Sequence, residues 1–207
     1  MCIRDRHEVS IKSARTIYNA LRHLSNKERY LARPIYIDKS GYWHDYIFSE
    51  SILFDKKDDL IFEERKVNLT NLSKMEDIDI WFPCLHGPNG EDGVIQGLFQ
   101  STGKPFVGSG VLGSALGMDK IAMKSVFKSY HLPQVPYISL NRIDIQNNLY
   151  MKSIYEKIDE IISYPCFIKP ANLGSSVGIT KAYSKEEFNT GIELSLIHIS
   201  EPTRQRV

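Results

Sequence analysis

The sequence predicts an α/β protein built around an open parallel sheet, and three observations carry that prediction. Residues Ile78 to Leu85 (IDIWFPCL) form a nearly continuous apolar run, the pattern of a strand covered on both faces. The run ends in a loop dense in glycine, proline and asparagine, His86 to Gly93 (HGPNGEDG), and a helical stretch, VIQGLFQSTG, follows with a glycine stop at Gly103. Pro105 to Gly110 (PFVGSG) then reads as a short strand leaving into a glycine loop. Strand, loop, helix and strand in that order imply a parallel sheet whose ligands bind at the carboxyl ends of its strands. The HGPNGEDG and GSG loops would lie there.

The other elements follow from spacing and punctuation. Ile11, Ala14, Ile17, Tyr18, Leu21 and Leu24 recur at helical intervals, so about Ser10 to Leu24 reads as an amphipathic helix with Ser10 as its N-cap. Arg33 to Asp38 (RPIYID) reads as a strand, and Ser40 to Trp43 (SGYW) as a turn entering another. Asp55 to Met75 is charged and polar, an exposed hairpin or loop. A second unit begins near Met118, where Asp119 caps a helix running to about Tyr130. LPQVPYISL reads as a turn into a strand, Asn148 to Ser163 as a helix, and Pro165 to Pro170 (PCFIKP) as a strand. ANLGSSVGITKAY reads as a glycine-serine hairpin loop with a returning strand. A capping box, Ser184-x-x-Glu187, opens the last helix.

Composition narrows the function classes. The 207 residues are 42% hydrophobic and 25% charged, ordinary for a globular protein. The 26 basic and 25 acidic side chains leave a formal charge of +1, which argues against a nucleic-acid surface or a polybasic membrane patch. No apolar run is long enough to span a bilayer. The three cysteines, Cys2, Cys84 and Cys166, show no CxxC or metal-ligand spacing. Cys84 and Cys166 read as buried small hydrophobes in a reducing compartment rather than as nucleophiles.

Four motifs carry chemistry. In Lys169 to Gly178 (KPANLGSSVG), a lysine at a strand end precedes a loop of small residues. Glycine lets such a loop lay backbone N–H groups and hydroxyls against phosphate oxygens. It is not a P-loop, since GxxxxGK[ST] is absent from the sequence. Met118-Asp119-Lys120 offers a second phosphate-directed cation, and a solvated first-turn lysine is its blander reading. His86 with Glu91 and Asp92 at a strand's carboxyl end suits a small zwitterion, although acids before a helix also favour its dipole. Glu8 in His7-Glu8-Val9-Ser10 is either a solvated first-turn acid or a receptor for a ligand ammonium group.

Taken in order, HEVS, LHGPNGEDG with its following QG, PFVGSG, MDK and FIKPANLGSSVGI resemble the D-alanine–D-alanine ligases of the ATP-grasp superfamily, from about His7 to about Glu193. The resemblance implies a Rossmann-like, pre-ATP-grasp domain over residues 7–115. A partial α+β ATP-grasp subdomain would follow over 116–193. It implies condensation of two D-alanines for peptidoglycan with ATP split to ADP and phosphate, through an acyl phosphate. Glu8 resembles the acid that binds the first D-alanine's ammonium, His86 the histidine beside its carboxylate, and Glu91 belongs to the same wall. Lys120 and Lys169 resemble the two lysines that hold ATP phosphates. Gly174, Ser175 and Ser176 lie in the loop that covers those phosphates, and Ser175 resembles the serine bonded to the N-terminal glutamate. ATP with Mg2+ or Mn2+, a cytoplasmic location and a homodimer are also implied.

The resemblance has edges. Family members place a strand and a GGxSxE-type glycine loop ahead of HEVS, where this chain has MCIRDR, and they continue for roughly another hundred residues, about the size of a small domain. The family's metal carboxylates and ω-loop tyrosine fall in that continuation. Residues 1–6 and 194–207 are therefore expected to be non-native, and the 207-residue chain is expected to be inactive alone and poorly folded, its sheet edges unpaired. The runner-up activities are a D-alanine–D-lactate or D-serine ligase. Such ligases often carry Lys-Tyr or Lys-Ser after the HG of this loop, where Pro88-Asn89 stands here. A non-catalytic ATP-binding fragment is the alternative from another class.

Overall fold

The computed structural model describes residues 6–54, 66–67 and 77–198, in two compact units, Met1–Ala115 and Leu116–Val207. No helix among the described residues is long and apolar enough to cross a membrane.

The first unit opens with helix α1, His7–Arg22. The helix starts three residues before the expected cap. Arg6 occupies the N-cap position without a side-chain bond, and Ser10 lies inside the first turns, its hydroxyl accepting the His86 N–H at 3.1 Å. A hydroxyl committed to a distant strand end does not cap its own helix. Tyr18 and Arg22 of α1 both bond Glu50, at 2.8 and 2.6 Å, which ties α1 to α2, Tyr46–Leu53. Asp45 caps α2 by accepting the Phe48 N–H.

Between those helices Ile37 bridges Trp43 in antiparallel fashion, and strand β1, Trp43–His44, pairs antiparallel with β2, Lys66–Val67. The turn is held by Asp38, whose carboxylate accepts the N–H groups of Ser40 and Tyr42 and lies 3.1 Å from His44 Nε2. Apart from β2, the polar stretch Asp55 to Met75 lies outside the described residues. The Ile78 to Leu85 run is not a continuous strand, but it meets the Pro105 segment in the expected parallel sense at one bridge, Trp81 to Phe106, with Trp81 N–H to Pro105 O at 2.9 Å and Val107 N–H to Trp81 O at 2.8 Å. It is the one parallel pairing among the described residues.

The core of this unit gathers Ile37, Trp43, Ile78, Trp81, Ile95 and Phe99. Trp81 stacks on Phe99 with centroids 4.9 Å apart, and Trp43 meets the same ring edge-on at 6.5 Å. Each such side chain contributes about 1.5–3 kcal/mol by leaving water. Ile95 and Phe99 come from α3, Val94–Ser101, which stops before Gly103 as the sequence predicts. Helix α4, Val111–Met118, follows the GSG loop over residues for which the sequence pattern named no element.

In the second unit, Asp119 caps α5, Lys120–Ser129, accepting the N–H groups of Ile121 and Ala122 at 2.9 Å. The expected strand in LPQVPYISL is absent from the described secondary structure. Pro133 and Pro136 each lack the N–H that a ladder needs. Asn141 instead starts a short helix, α6, Arg142–Gln146, and Asn147 caps α7, Asn148–Lys157, which continues as a π-helical turn through Ile162. Strands β3, Cys166–Ile168, and β4, Thr180–Ala182, pair antiparallel around the glycine-serine loop. Helix α8, Lys185–His198, closes the unit. Its start is held by Ser184, which accepts the Glu187 N–H, and by Glu187, which accepts the N–H of Tyr183. Ile154, Ile158, Cys166, Ala182, Phe188 and Ile192 form the core beneath β3 and β4.

Candidate functional site

The HGPNGEDG loop is folded by its own acids and by one buried amide. Glu91 turns back so that Oε2 accepts the Gly87 N–H at 2.6 Å, while Oε1 lies 3.5 Å from His86 Nδ1. Asp92 accepts the N–H groups of Asn89 at 2.7 Å and Val94 at 3.2 Å, so its structural role at the head of α3 is established. Gln96, 6% exposed, donates from Nε2 to the Gly90 carbonyl at 2.9 Å and accepts the Gly93 N–H at 3.0 Å. Gly93 has φ of +98°, and a Cβ there would lie 2.9 Å from the Val111 carbonyl oxygen, so both conformation and space select glycine.

His86 sits where this loop meets α1. Its Nε2 lies 2.9 Å from Ser13 Oγ, and its backbone N–H is held by Ser10. Serines three apart share one helix face, and that face holds the strand end in place. A cavity of about 180 Å3 opens beside His86, lined by Ser10, Trp43, Leu85, Pro88 and Ile95 among others. The sequence singled out His86 and Glu91, and the structure brings these two together. Ser13 and Gln96 were missed. Their signals were a second serine at i+3 from Ser10 and a lone amide in the apolar run VIQGLF.

Glu8 is placed differently. It lies in the first turn of α1, its side chain 75% exposed, 3.4 Å from Nδ1 of the buried His7. That is the position of an acid serving the positive end of a helix.

In the second unit the loop between β3 and β4 begins at Lys169. Its backbone turns on Ser175 and Ser176, both in the left-handed region at φ of +53° and +63°, with Val177 N–H to Gly174 O and Ile179 N–H to Ser176 O closing the turns. Both serines and Gly174 are exposed. Lys120 reaches the start of this loop: its N–H donates to Ala171 O at 3.0 Å, and Nζ donates to the carbonyls of Ala171 and Leu173. Burial pushes the Lys120 ammonium below the ordinary lysine range, and the nearby Lys169 charge pushes it further, with Asp119 offsetting part. Two cations that repel each other beside a loop of small residues are suited to an anion carrying more than one charge.

The remaining chemistry is quiet. Among the described residues no three His, Cys, Asp or Glu side chains come together to hold a metal ion. Cys166 is buried and Cys84 partly so, and burial pushes both thiols up, away from thiolate reactivity. Cys2 lies outside the described residues.

Comparison with known proteins places these features in a lineage. Residues 5–109 match the family model described as D-ala D-ala ligase N-terminus, and residues 126–200 the one described as D-ala D-ala ligase C-terminus. The chain is 89% identical over 189 residues to a D-alanine–D-alanine ligase of Prochlorococcus marinus strain NATL2A, covering 91% of this chain and 54% of that protein. It thus spans about half the length of the curated relatives it matches. Among solved structures it is similar to the VanG D-Ala:D-Ser ligase from Enterococcus faecalis (TM-score 0.72, 30% identity, 94% of this chain and 57% of that one). It is also similar to the D-alanine–D-alanine ligase from Coxiella burnetii (TM-score 0.71, 27% identity, 94% and 58%).

Proposed function

The chain belongs to the D-alanine–D-alanine ligase family and has its α/β fold, and from that membership we propose that its whole protein joins two D-alanines into D-alanyl-D-alanine for peptidoglycan. The single observation that carries the reading is the near-identity to the Prochlorococcus ligase. In the proposed reaction one D-alanine carboxylate attacks the γ-phosphate of ATP, and ADP leaves. The amine of the second D-alanine then attacks the acyl phosphate, and the tetrahedral intermediate expels inorganic phosphate.

This chain's residues would act by positioning and charge. His86, held against Glu91 and the loop, faces the first D-alanine's carboxylate. Lys120 and Lys169 neutralise phosphate oxygens, and their mutual repulsion in the free protein is relieved when the anion arrives. Gly174, Ser175 and Ser176 cover the phosphates and keep water from the acyl phosphate. Glu8 is placed in the pocket by motif match alone, and its exposure in α1 favours the helix-terminal role. Magnesium or manganese would add charge neutralisation at the phosphates, and the described residues make no metal site by themselves. A cytoplasmic homodimer completes the proposal.

A second reading, transfer to D-serine, is favoured by the likeness to the VanG D-Ala:D-Ser ligase, and D-lactate is the other acceptor to be tested beside it. The test is product analysis by mass spectrometry. A family-length protein carrying this sequence is given ATP with D-alanine alone, with added D-serine, or with added D-lactate. D-Alanyl-D-alanine as the main product in all three supports the first reading. A mixed product as the main species establishes the second, and no ATP-dependent product in any arm overturns both.

A further inference from the structure

Both ring nitrogens of His86 have partners, and their chemistry fixes where the proton sits. An ionised carboxylate only accepts, so the contact between Glu91 Oε1 and Nδ1 requires the hydrogen on Nδ1. In the neutral ring Nε2 is then an acceptor, and Ser13, 2.9 Å away, is the donor. We propose that Ser13 is a positioning residue of the amino-acid pocket: its bond to Nε2 pins the His86 ring so that Nδ1–H, the form the Glu91 carboxylate selects, stays turned toward Glu91 and is the nitrogen offered to an incoming carboxylate. The inference rests on the ligase reading only in what that carboxylate belongs to.

The geometry separates the two contacts. The Ser13 bond is short, and it comes from a helix that also holds the His86 backbone through Ser10. The Glu91 contact is long at 3.5 Å, and Glu91 keeps a second, shorter bond to the Gly87 N–H at 2.6 Å. An arriving carboxylate therefore replaces or shares the Glu91 contact without unfolding the loop, while the ring stays fixed from behind. Without Ser13 only the long Glu91 contact holds the ring, which is then free to turn away and take the Nε2–H form, in which the nitrogen facing an arriving carboxylate is bare.

The test reads the tautomer directly. Imidazole nitrogen shifts are recorded by NMR on a family-length protein with isotope-labelled histidine, at a pH where the ring is neutral. The His86 signals are assigned by their loss in His86→Gln. The expected result is a protonated Nδ1 and a bare Nε2 in the unaltered protein, conversion toward Nε2–H in Ser13→Ala, and return of the first pattern in Ser13→Thr. Alanine is a better helix former than serine, so α1 survives the substitution. KM for D-alanine rises about tenfold in Ser13→Ala, the loss of one hydrogen bond's worth of orientation, while KM for ATP holds. A predominant Nε2–H form in the unaltered protein, or a tautomer indifferent to Ser13→Ala, overturns the proposal. If the tautomer follows Ser13 but D-alanine is not a substrate, the ligase reading fails and Ser13's hold on the ring stands.

Discussion

Replacing Gln96 by leucine removes the side chain that fixes the HGPNGEDG loop without altering any charged group. Gln96 is 6% exposed and makes two bonds, to the Gly90 carbonyl and from the Gly93 N–H. Both partner residues are buried, so leucine strands one acceptor and one donor away from water. Each stranded group costs about 1–3 kcal/mol. Burying leucine in place of an amide returns about 1–2 kcal/mol, which leaves a net loss of about 2–3 kcal/mol at mid-range. Urea unfolding of the variant beside the unaltered protein, with equal m-values, measures the difference. The loop also carries His86 and Glu91, so KM for D-alanine should rise while KM for ATP stays. A loss under about 1 kcal/mol, with both constants unchanged, would refute the claim that this amide sets the loop.

Two further substitutions test the same loop from its backbone and the turn at Asp38. In Gly90→Ala the new Cβ would lie 2.7 Å from Leu85 Cβ and 2.8 Å from its carbonyl carbon and oxygen. The strand end cannot yield cheaply, and a loss of about 1–3 kcal/mol in thermal unfolding is expected; a neutral variant would show that the loop has room. Asp38 is pushed up by burial, but the bonds from His44, Tyr42 and Ser40 outweigh that and leave its carboxyl below the ordinary range. Its stabilisation is therefore full above the ordinary value of 3.8 and is lost as pH falls through the lowered one. Asp38→Asn should lower stability at neutral pH and flatten the acid side of the stability profile; parallel profiles for the two proteins would contradict the assigned partners.

What the sequence revealed depended on how local the signal was. The cap at Asp119, the glycine stop after α3 and the hairpin around the glycine-serine loop are set by neighbouring residues, and each is where the pattern placed it. Ser10 misled because a serine ahead of an apolar helix signals a cap. Its actual partner, the His86 N–H, is 76 positions away, and no local pattern announces it. A similar separation, 73 positions, hid Ser13. Helix α4 was missed because Gly113 and Gly117 within its eight residues lower helix propensity, and it follows directly on the glycines at 108 and 110. His86 and Glu91 were legible as a pair because five residues and two glycines bring them together. Lys120 and Lys169 were legible separately, but the lowering of the Lys120 ammonium by burial and by the Lys169 charge depends on the fold.

In the proposed ligase, amino-acid recognition falls to the His86 loop and phosphate recognition to the two lysines. A single steady-state comparison tests it: KM for D-alanine and for ATP, measured in His86→Gln and Lys169→Met of a family-length protein carrying this sequence. A reciprocal split is expected, with His86→Gln raising KM for D-alanine alone and Lys169→Met raising KM for ATP alone. The reverse pattern, or equal changes in both constants for both variants, would contradict it.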